Sequence, residues 1–403
     1  MQIPRIQSLL LERYLKSFPC VAIIGPRQVG KTTMARMLLS SYDADAIYLD
    51  LESHEDSRKL MFAEQYFIER QDKLIVIDEI QRNPSLFPLL RSVIDRKRVN
   101  GRFILLGSAS PELMAKSSET LAGRIAYLEI HPFIYPEIRQ KFLFDGLWLK
   151  GGFPAVFLEQ DLTVSFEMRL QFIQTCFERE LPILGLSASS VTLRNLLQMI
   201  AHSQAQVVNY SEISRSLGVE VNTVKRYLDY FENAFLIRRL QPYFTNSKKR
   251  LVKSPKIFIR DTGILHALFN IGDKEALDGF TGKGSSWESF VIQQIIALLK
   301  PGVNPYFYRT QDGTELDLLL VKGMQPVAGF EIKLSNAPKL YRGLSTAAKD
   351  FEGAPVFVVT HSVSEDYNLA ANIRVTSFDR VFKYLKELDV IMDIGLHFSR
   401  LFF

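Results

Sequence analysis

The feature that most constrains this chain is the octapeptide at residues 25–32, Gly-Pro-Arg-Gln-Val-Gly-Lys-Thr, which fills the phosphate-loop pattern G-x-x-x-x-G-K-[ST]. An apolar run typical of a buried parallel strand, residues 20–24, precedes it, and a helical pattern, residues 32–41, follows. Strand, glycine loop and helix therefore stand in the order that a nucleoside triphosphate site requires. The predicted nucleotide-binding residues are Gly25, Pro26, Arg27, Gln28, Val29, Gly30, Lys31, Thr32 and Thr33.

The chemistry of each loop position follows from its residue type. Gly25 and Gly30 allow backbone dihedrals that other residues avoid, so successive N–H groups can point at phosphate oxygens near a helix N-terminus. We expect Lys31 to contact the β- and γ-phosphates and Thr32 to coordinate Mg²⁺. The predicted cofactors are thus ATP, or another nucleoside triphosphate, and Mg²⁺.

A second apolar strand, residues 74–78, ends in two carboxylates, Asp78 and Glu79. Ligands bind at the carboxyl edge of a parallel sheet, so Asp78 is predicted to hold Mg²⁺ through a bridging water, and Glu79 to polarise the attacking water. The strand at residues 102–107 ends at the same edge, where Ser108, or alternatively Ser110, could hydrogen-bond the γ-phosphate or the water.

Arg124, in the run Leu-Ala-Gly-Arg at residues 121–124, is a candidate for stabilising charge on the transferring phosphoryl group, in its own subunit or in a neighbouring one. The alternative is a surface arginine paired with an acid. Apolar runs at residues 46–50, 73–78, 102–107 and 125–130 alternate with helical patterns at 60–70 and 86–97. This alternation predicts a parallel sheet covered by helices on both faces.

Together these motifs resemble the AAA+-type ATPases of bacteria and archaea, and more closely a subgroup that carries a C-terminal domain of uncharacterised function. The resemblance extends over nearly the whole chain, because the Gly-Gly-Phe-Pro run at residues 151–154 and the run at residues 258–263 are also similar to that subgroup. It implies ATP binding and hydrolysis without naming a substrate. Such ATPases often form rings, so a homo-oligomer is an expectation.

Length and composition limit the number of domains and the class of protein. The 403 residues predict two or three domains, which we place at residues 1–150, 151–262 and 263–403. The two cysteines, Cys20 and Cys176, have no metal-ligand spacing, and no apolar run approaches the ~20 residues of a membrane span. We therefore expect a cytoplasmic protein with no membrane partner. The net charge of +5 is informative only where it is concentrated.

The middle segment begins with helical patterns at residues 162–180 and 193–201, which could cover a nucleotide pocket. A short helix at 211–217, a left-handed turn at Gly218 and a longer helix capped by Asn222 then predict a helix-turn-helix or winged-helix unit. The residues predicted to read DNA are Asn222, Thr223, Lys225 and Arg226. Asp229 and Glu232 on the same helix would repel phosphates, so a packing or interaction module is the alternative.

A run without acidic residues follows, from residue 248 to residue 260. Its basic side chains are Lys248, Lys249, Arg250, Lys253, Lys256 and Arg260, next to the strand pair expected to form the wing. Each phosphate neutralised there would release counterions, which makes DNA the expected partner. The alternatives are a solvated basic loop and a site for an acidic protein.

The C-terminal segment predicts a helix at residues 287–299, strands at 305–309, 315–321 and 327–334, a helix at 337–351 and a strand at 355–360. Asp317 falls in the second strand, and Glu331 and Lys333 fall on one side of the third. Two carboxylates and a lysine can hold Mg²⁺ and a scissile phosphate, with Lys333 orienting or deprotonating the water. Glu288 can approach from the preceding helix, and Glu315 is an alternative metal ligand.

This order of elements and residues resembles the PD-(D/E)XK nuclease superfamily, which implies a restriction-endonuclease-like α/β domain with Mg²⁺ ligands at Glu288, Asp317 and Glu331. Three functions follow for the whole chain. It is an ATP-dependent DNA nuclease, a DNA-binding ATPase switch with a silent C-terminal site, or an ATPase that recruits or remodels proteins. The sequence leaves these three open.

Overall fold

The phosphate loop follows an interior strand of a five-stranded sheet in the computed structural model, which describes residues 3–40, 46–107, 120–176, 181, 186–244 and 251–393. The strand order is β2-β3-β4-β1-β5, and every neighbouring pair is parallel. The strands are β1 (Cys20–Ile24), β2 (Ala46–Asp50), β3 (Leu74–Asp78), β4 (Phe103–Leu106) and β5 (Ile125–Glu129). The predicted parallel sheet is confirmed.

Both faces of this sheet are buried. Ile75 and Ile77 of β3 lie in one apolar core, and Leu74 and Val76 lie in the other, because successive side chains of a strand point to opposite faces. Helices supply the opposite walls of both cores. They are α1 (Gln7–Ser17), α2 (Lys31–Leu39), α4 (Ala63–Glu69) and α5 (Leu86–Arg96), whereas α3 (His54–Lys59) has no buried residue and lies outside both cores.

The middle of the chain is mostly helical. Its helices are α6 (Tyr135–Ile138), α7 (Phe144–Lys150), α8 (Pro154–Leu158), α9 (Leu162–Thr175), α10 (Ser190–His202), α11 (Tyr210–Leu217) and α12 (Val221–Asn233). A three-stranded antiparallel sheet of order β6-β8-β7 accompanies α11 and α12. Its strands are β6 (Gln206–Val207), β7 (Ile237–Leu240) and β8 (Lys256–Ile259).

The turn between α11 and α12 differs from the prediction in one detail. Gly218 has the predicted left-handed conformation, with φ of 65°. The prediction that Asn222 caps the second helix was wrong, because that helix begins one residue earlier, at Val221, and its N-cap residue is Glu220. Asn222 is therefore inside the first turn.

The last part of the chain forms a six-stranded mixed sheet of order β13-β14-β12-β11-β10-β9. Its strands are β9 (Val303–Arg309), β10 (Glu315–Lys322), β11 (Gln325–Ile332), β12 (Val356–Thr360), β13 (Tyr367–Ala370) and β14 (Ile373–Ser377). Its helices are α13 (Thr262–Leu268), α14 (Lys274–Asp278), α15 (Lys283–Ile296), α16 (Arg342–Asp350) and α17 (Phe378–Glu387). The predicted α-β-β-β-α-β order is present, but α16 starts five residues later than predicted, and β13, β14 and α17 were not predicted.

One apolar core joins the three regions of sequence. It includes Ile6 before α1, Trp148 of α7 and Trp287 of α15, and the two indole rings meet edge to face with centroids 5.0 Å apart. The C-terminal sheet therefore packs on residues that precede the middle segment. Among the described residues, the helices are too short or too polar to cross a bilayer.

Candidate functional site

The phosphate loop has the backbone geometry predicted for it. Gly25 has φ of 149° and Gly30 has φ of 98°, both in the region that favours glycine. A Cβ atom on Gly25 would lie 2.4 Å from the carbonyl oxygen of Ile130, so no larger residue fits at that position. Gln28 also has a positive φ, of 59°. A non-glycine residue in this conformation is strained, and such strain concentrates at ligand-binding sites.

A buried arginine forms hydrogen bonds with the phosphate loop and with residues next to it. Arg5 donates from Nη1 to the carbonyl oxygen of Val29 at 2.9 Å and from Nε to Glu137 at 3.1 Å. It also donates to the carbonyl oxygen of His131. Because Arg5 precedes α1 and Glu137 lies in α6, the loop is linked both to the start of the chain and to the segment that follows β5. Arg5 was not predicted from the sequence as part of the site.

Lys31 is buried at the start of α2 with its ammonium group turned toward the loop. It donates to the carbonyl oxygens of Gly25, at 2.9 Å, and Pro26, at 2.8 Å. The ammonium therefore lies inside the curve of the loop, where phosphate oxygens would be better partners than neutral carbonyls. This position fits the predicted contact with the β- and γ-phosphates.

Thr32 and Asp78 meet at the predicted Mg²⁺ position. The Thr32 hydroxyl donates to Oδ2 of Asp78 at 2.8 Å, and the hydroxyl of Tyr48 on β2 donates to the same oxygen. Burial, followed by the neighbouring Asp78 carboxylate, raises the pKa of Tyr48 above its usual range. Tyr48 therefore remains a neutral donor that orients Asp78. Sequence reasoning missed it, although its strand was predicted.

Glu79 directly follows Asp78 in a left-handed conformation with φ of 54°. Its backbone N–H donates to Oδ1 of Asp78 at 2.9 Å, and its carboxylate accepts a hydrogen bond from the amide of Gln81. The strained backbone turns the Glu79 side chain away from the strand direction, and strain of this kind accumulates at catalytic positions. This geometry is compatible with the predicted role of Glu79 toward water.

The residues of the loop fit a nucleoside triphosphate with Mg²⁺. Three observations support the fit: the Gly25 position admits no Cβ, the lysine ammonium faces the loop interior, and a hydroxyl lies within hydrogen-bond distance of a carboxylate. Among the described residues no group of three or more His, Cys, Asp or Glu side chains could hold a metal alone. Mg²⁺ in such sites takes few protein ligands and completes its shell with phosphate oxygens and water.

Two other predicted residues of this site have different outcomes. Arg124 forms a bidentate ion pair with Asp95, at 2.6 Å from Nε and 2.9 Å from Nη2, which is the alternative left open from the sequence. A role toward phosphate requires Arg124 to leave that partner. Ser108 and its alternative Ser110 lie outside the described residues, so their roles stay predictions.

A charged group next to the loop connects the first sheet to the middle segment. Glu129 ends β5 opposite Ile24 of β1, and it pairs with Arg260, which directly follows β8. Although burial opposes its charge, Arg260, then His131 and Arg238, lower the pKa of Glu129 to about 2. Burial lowers the pKa of His131 to about 3. The pair therefore remains charged at neutral pH beside a neutral histidine.

In the C-terminal domain, Glu288 of α15 and Glu315 and Asp317 of β10 converge on one ammonium group. That group belongs to Lys256 of β8, whose Nζ lies 3.0 Å from Glu288, 2.7 Å from Glu315 and 3.2 Å from Asp317. The register of β10 against β9 shifts between Leu316 and Leu319 and brings Asp317 toward the cluster. The prediction that Lys256 belongs to a DNA-binding basic surface was wrong, because Lys256 is only 2% exposed.

Glu331 and Lys333 form the neighbouring half of this cluster. Lys333 Nζ lies 2.5 Å from Oε1 of Glu331, and the hydroxyl of Tyr341 donates to the same oxygen at 2.8 Å. Burial, and then Asp317, raise the pKa of Glu331 to about 7. Burial opposes the charge of Lys333, but Glu331 raises the pKa of Lys333 overall, which favours an orienting ammonium over a base.

The carboxylates as arranged do not fit a metal ion. Both oxygens of Asp317 are engaged, because Oδ1 contacts Lys256 and Oδ2 accepts the backbone N–H of Ile332 at 2.8 Å. Within the described part of the chain, Oε2 of Glu331 is a buried oxygen of this cluster with no hydrogen-bond partner. No chemical step through a metal is derived for this centre.

The predicted DNA-reading residues lie on the outer face of α12. Asn222, Lys225 and Arg226 are exposed, and Thr223 is half-buried. Lys248, Lys249 and Arg250 lie outside the described residues, and Lys253 is exposed. Of the remaining basic run, Lys256 and Arg260 point into the protein toward carboxylates. The described residues of the basic run thus divide into Lys256 and Arg260, which face carboxylates inside the protein, and Lys253, which faces solvent.

Comparisons with known proteins match three separate parts of the chain. Residues 17–139 match the family described as AAA domain, and residues 141–275 and 283–380 match two domains of unknown function, DUF8612 and DUF4143. Over 353 residues the chain is 40% identical to Uncharacterized protein Rv2008c of Mycobacterium tuberculosis, spanning 87% of this chain and 78% of that protein. An Uncharacterized protein of Haemophilus influenzae is 25% identical over 273 residues, 60% of this chain and 67% of the relative.

Solved structures give weaker likenesses. The Walker-type ATPase PABY2304 of Pyrococcus abyssi is 16% identical, with a TM-score of 0.44, covering 65% of this chain and 94% of that one. A point variant of RuvB from Thermotoga maritima is 19% identical, with a TM-score of 0.32, covering 59% and 90%. The AAA match and the phosphate-loop geometry establish an ATPase domain. The chain therefore belongs to the family that includes Rv2008c, and it is an ATPase whose AAA domain is followed by two domains of unknown function.

Proposed function

We propose that this ATPase is a nucleotide-dependent switch that binds DNA through the outer face of α12 and uses the middle segment as a winged-helix unit. The proposal is carried by one observation, the pairing of two acidic residues of that helix with one arginine inside the protein. Asp229 and Glu232 both pair with Arg239 of β7, at 2.7 Å and 2.5 Å. Arg239 thereby offsets one of the two negative charges that would repel phosphates, while Lys225 and Arg226 remain exposed.

The opposite face of α12 fixes its orientation. Val224, Leu228 and Phe231 are each 0% exposed and pack in the apolar core of the middle segment. Burial of three such side chains stabilises the docked helix by several kcal/mol, at roughly 1.5–3 kcal/mol per side chain. A helix held this firmly on one side presents a constant polar surface on the other, which is the arrangement used to read a major groove.

Arg260 supports a link between nucleotide and DNA. It follows β8, the central strand of the antiparallel sheet next to α12, and its guanidinium pairs with Glu129 beside the phosphate loop. Because Glu129 is paired in register with Ile24, the residue before Gly25, a shift of the loop on ATP hydrolysis would reach the middle segment through one ion pair. The proposal assigns no DNA cleavage to the C-terminal domain, and cleavage dependent on Asp317 and Lys333 stays a prediction.

The test measures ATP turnover and DNA affinity in the same full-length protein. Lys31→Ala should abolish turnover, and duplex DNA should change the turnover of the unmodified protein. Lys225→Ala/Arg226→Ala should weaken DNA binding and reduce the slope of log affinity against log salt by about 2, since each lost phosphate contact lowers it by about 1. The matched control, Arg13→Ala/Lys16→Ala, removes the same charge from exposed positions of α1 and should leave the slope unchanged.

A second candidate function rests on a different surface. Met61 and Phe62 are 73% and 76% exposed, and with Ile68 they are the apolar part of a groove between α4 and α5 that polar side chains also line. Exposed apolar grooves of this kind serve as protein interaction sites. An ATPase that recruits a protein partner would use this groove. DNA that neither binds nor alters turnover would refute the switch on DNA and favour this second function.

A further inference from the structure

We infer that Lys256 is the built-in cation of the C-terminal carboxylate cluster, so that Glu288, Glu315 and Asp317 hold an ammonium group in place of a metal ion. The inference includes a latent site: no group of three acidic side chains in the described structure could hold a metal, but removal of this ammonium would free the same three carboxylates to bind a divalent cation. It concerns the protein without nucleotide or DNA. Its success or failure is therefore independent of the proposed switch on DNA.

The geometry satisfies the ammonium completely. A lysine ammonium has three N–H donors, and Lys256 Nζ has three carboxylate partners at 2.7, 3.0 and 3.2 Å. The ring of Phe307 lies on a further side, with its centroid 5.7 Å from Nζ. Each donor thus has one acceptor, and an aromatic face closes the remaining approach.

The same geometry excludes a metal ion. Mg²⁺ lies about 2.0–2.1 Å from its oxygen ligands and Ca²⁺ about 2.3–2.6 Å. A cation bound by the same oxygens of Glu288, Glu315 and Asp317 would compete with the nitrogen for the oxygen lone pairs that now accept from Nζ. Two positive charges would then lie in contact inside a region where Lys256 is 2% exposed and little water screens them. Ammonium and metal are alternatives at this position.

Strand pairing fixes the backbone position of Lys256, so the arrangement is part of the fold. Lys256 begins β8, which pairs with β6 through Val207 and with β7 through Leu240. Strands on both sides therefore fix the Cα position from which the side chain reaches α15 and β10. A surface lysine that paired by chance would lack this support. Lys333 has a different partner, because its ammonium lies 2.5 Å from Oε1 of Glu331.

Mn²⁺ binding in the absence of nucleotide tests the inference, by calorimetry and by the loss of the free Mn²⁺ electron paramagnetic resonance signal. Lys256→Met removes the ammonium and keeps the volume of the stem, and it should gain about one Mn²⁺ per chain. Lys253→Met, which changes an exposed lysine three residues earlier, should gain none. Adding Asp317→Asn to Lys256→Met should abolish the gained site.

A second comparison does not depend on the folding of Lys256→Met. The unmodified protein and its Asp317→Asn and Glu331→Gln variants should bind the same amount of Mn²⁺, since no metal lies in the cluster. Mn²⁺ bound by the unmodified protein but lost in either variant would overturn the inference. A Lys256→Met protein with a native circular dichroism spectrum and no additional Mn²⁺ would also overturn it.

Discussion

Acidification should destabilise this protein through His266, a histidine buried as the neutral imidazole. His266 is 0% exposed and lies in α13 between two other elements. Its Nδ1 is 2.9 Å from the carbonyl oxygen of Leu149, and its Nε2 is 2.7 Å from Oγ of Ser286. Trp148 donates to the same Ser286 oxygen at 3.0 Å. Nδ1 must donate, so Nε2 accepts the Ser286 proton, and a proton on Nε2 would break this chain of hydrogen bonds.

The magnitude follows from the pKa. Burial lowers the pKa of His266 from 6.5 to about 4. Between these values the unfolded chain binds a proton that the folded chain does not, so stability is present above pH 6.5 and is lost as the pH falls toward 4. One unit of pKa corresponds to about 1.4 kcal/mol, so His266 alone should cost about 2 kcal/mol of stability between pH 7 and pH 5. His131, with a pKa lowered to about 3, should add a similar loss.

Urea unfolding at pH 7 and pH 5, followed by tryptophan fluorescence, measures this effect. The chain has two tryptophans, Trp148 in the network and Trp287 packed against it, so the signal reports on this region. His266→Gln should lose about 2 kcal/mol less than the unmodified protein over this pH interval. His54→Gln, at an exposed position, should behave like the unmodified protein. Equal losses in all three proteins, or an NMR titration of His266 near pH 6.5, would refute the argument.

Two further predictions concern the nucleotide site. Gly25→Ala should abolish binding of a fluorescent ATP analogue, because its Cβ would lie 2.4 Å from the Ile130 carbonyl oxygen. The control Gly146→Ala, with no atom within 4 Å of the new Cβ, should bind the analogue normally. Normal binding by Gly25→Ala would contradict the loop geometry. Tyr48→Phe should lower ATP turnover by about 10-fold with little change in nucleotide affinity, since it removes a hydrogen bond that orients Asp78. Unchanged steady-state turnover of Tyr48→Phe would exclude this role.

The nucleotide site was largely predictable because its determinants are local. The loop residues are contiguous, and the strands that carry them bury both faces, so their runs of apolar residues stand out without knowledge of partners. Asp78 and Glu79 were found because they end such a run. Tyr48 was missed because its contact with Asp78 joins two strands. The pattern of β2 does not distinguish a tyrosine that donates to a carboxylate from a tyrosine that packs in the apolar core.

The C-terminal cluster was predictable only in part. Glu288, Asp317, Glu331 and Lys333 were found from their spacing on a helix and two strands. Lys256 was assigned to a basic surface, since it lies among five other basic residues in a run without acids. Its partners Glu288 and Asp317 are 32 and 61 residues away, and only the packing of β8 against α15 and β10 brings them together. A sequence shows that a residue is charged, but it does not show which side of a strand the charged side chain faces.

The sequence by itself determined the ATPase. A glycine loop between a buried strand and a helix points its backbone N–H groups and its lysine at phosphate oxygens. Residues that are neighbours in the sequence supply all of these groups. The tertiary structure decided what surrounds that ATPase: which acids of α12 pair with Arg239, which histidines are buried neutral, and which cation the C-terminal carboxylates hold. The reason is physical, because desolvation and ion pairing depend on the distance between side chains, and for residues far apart in sequence only the fold sets that distance.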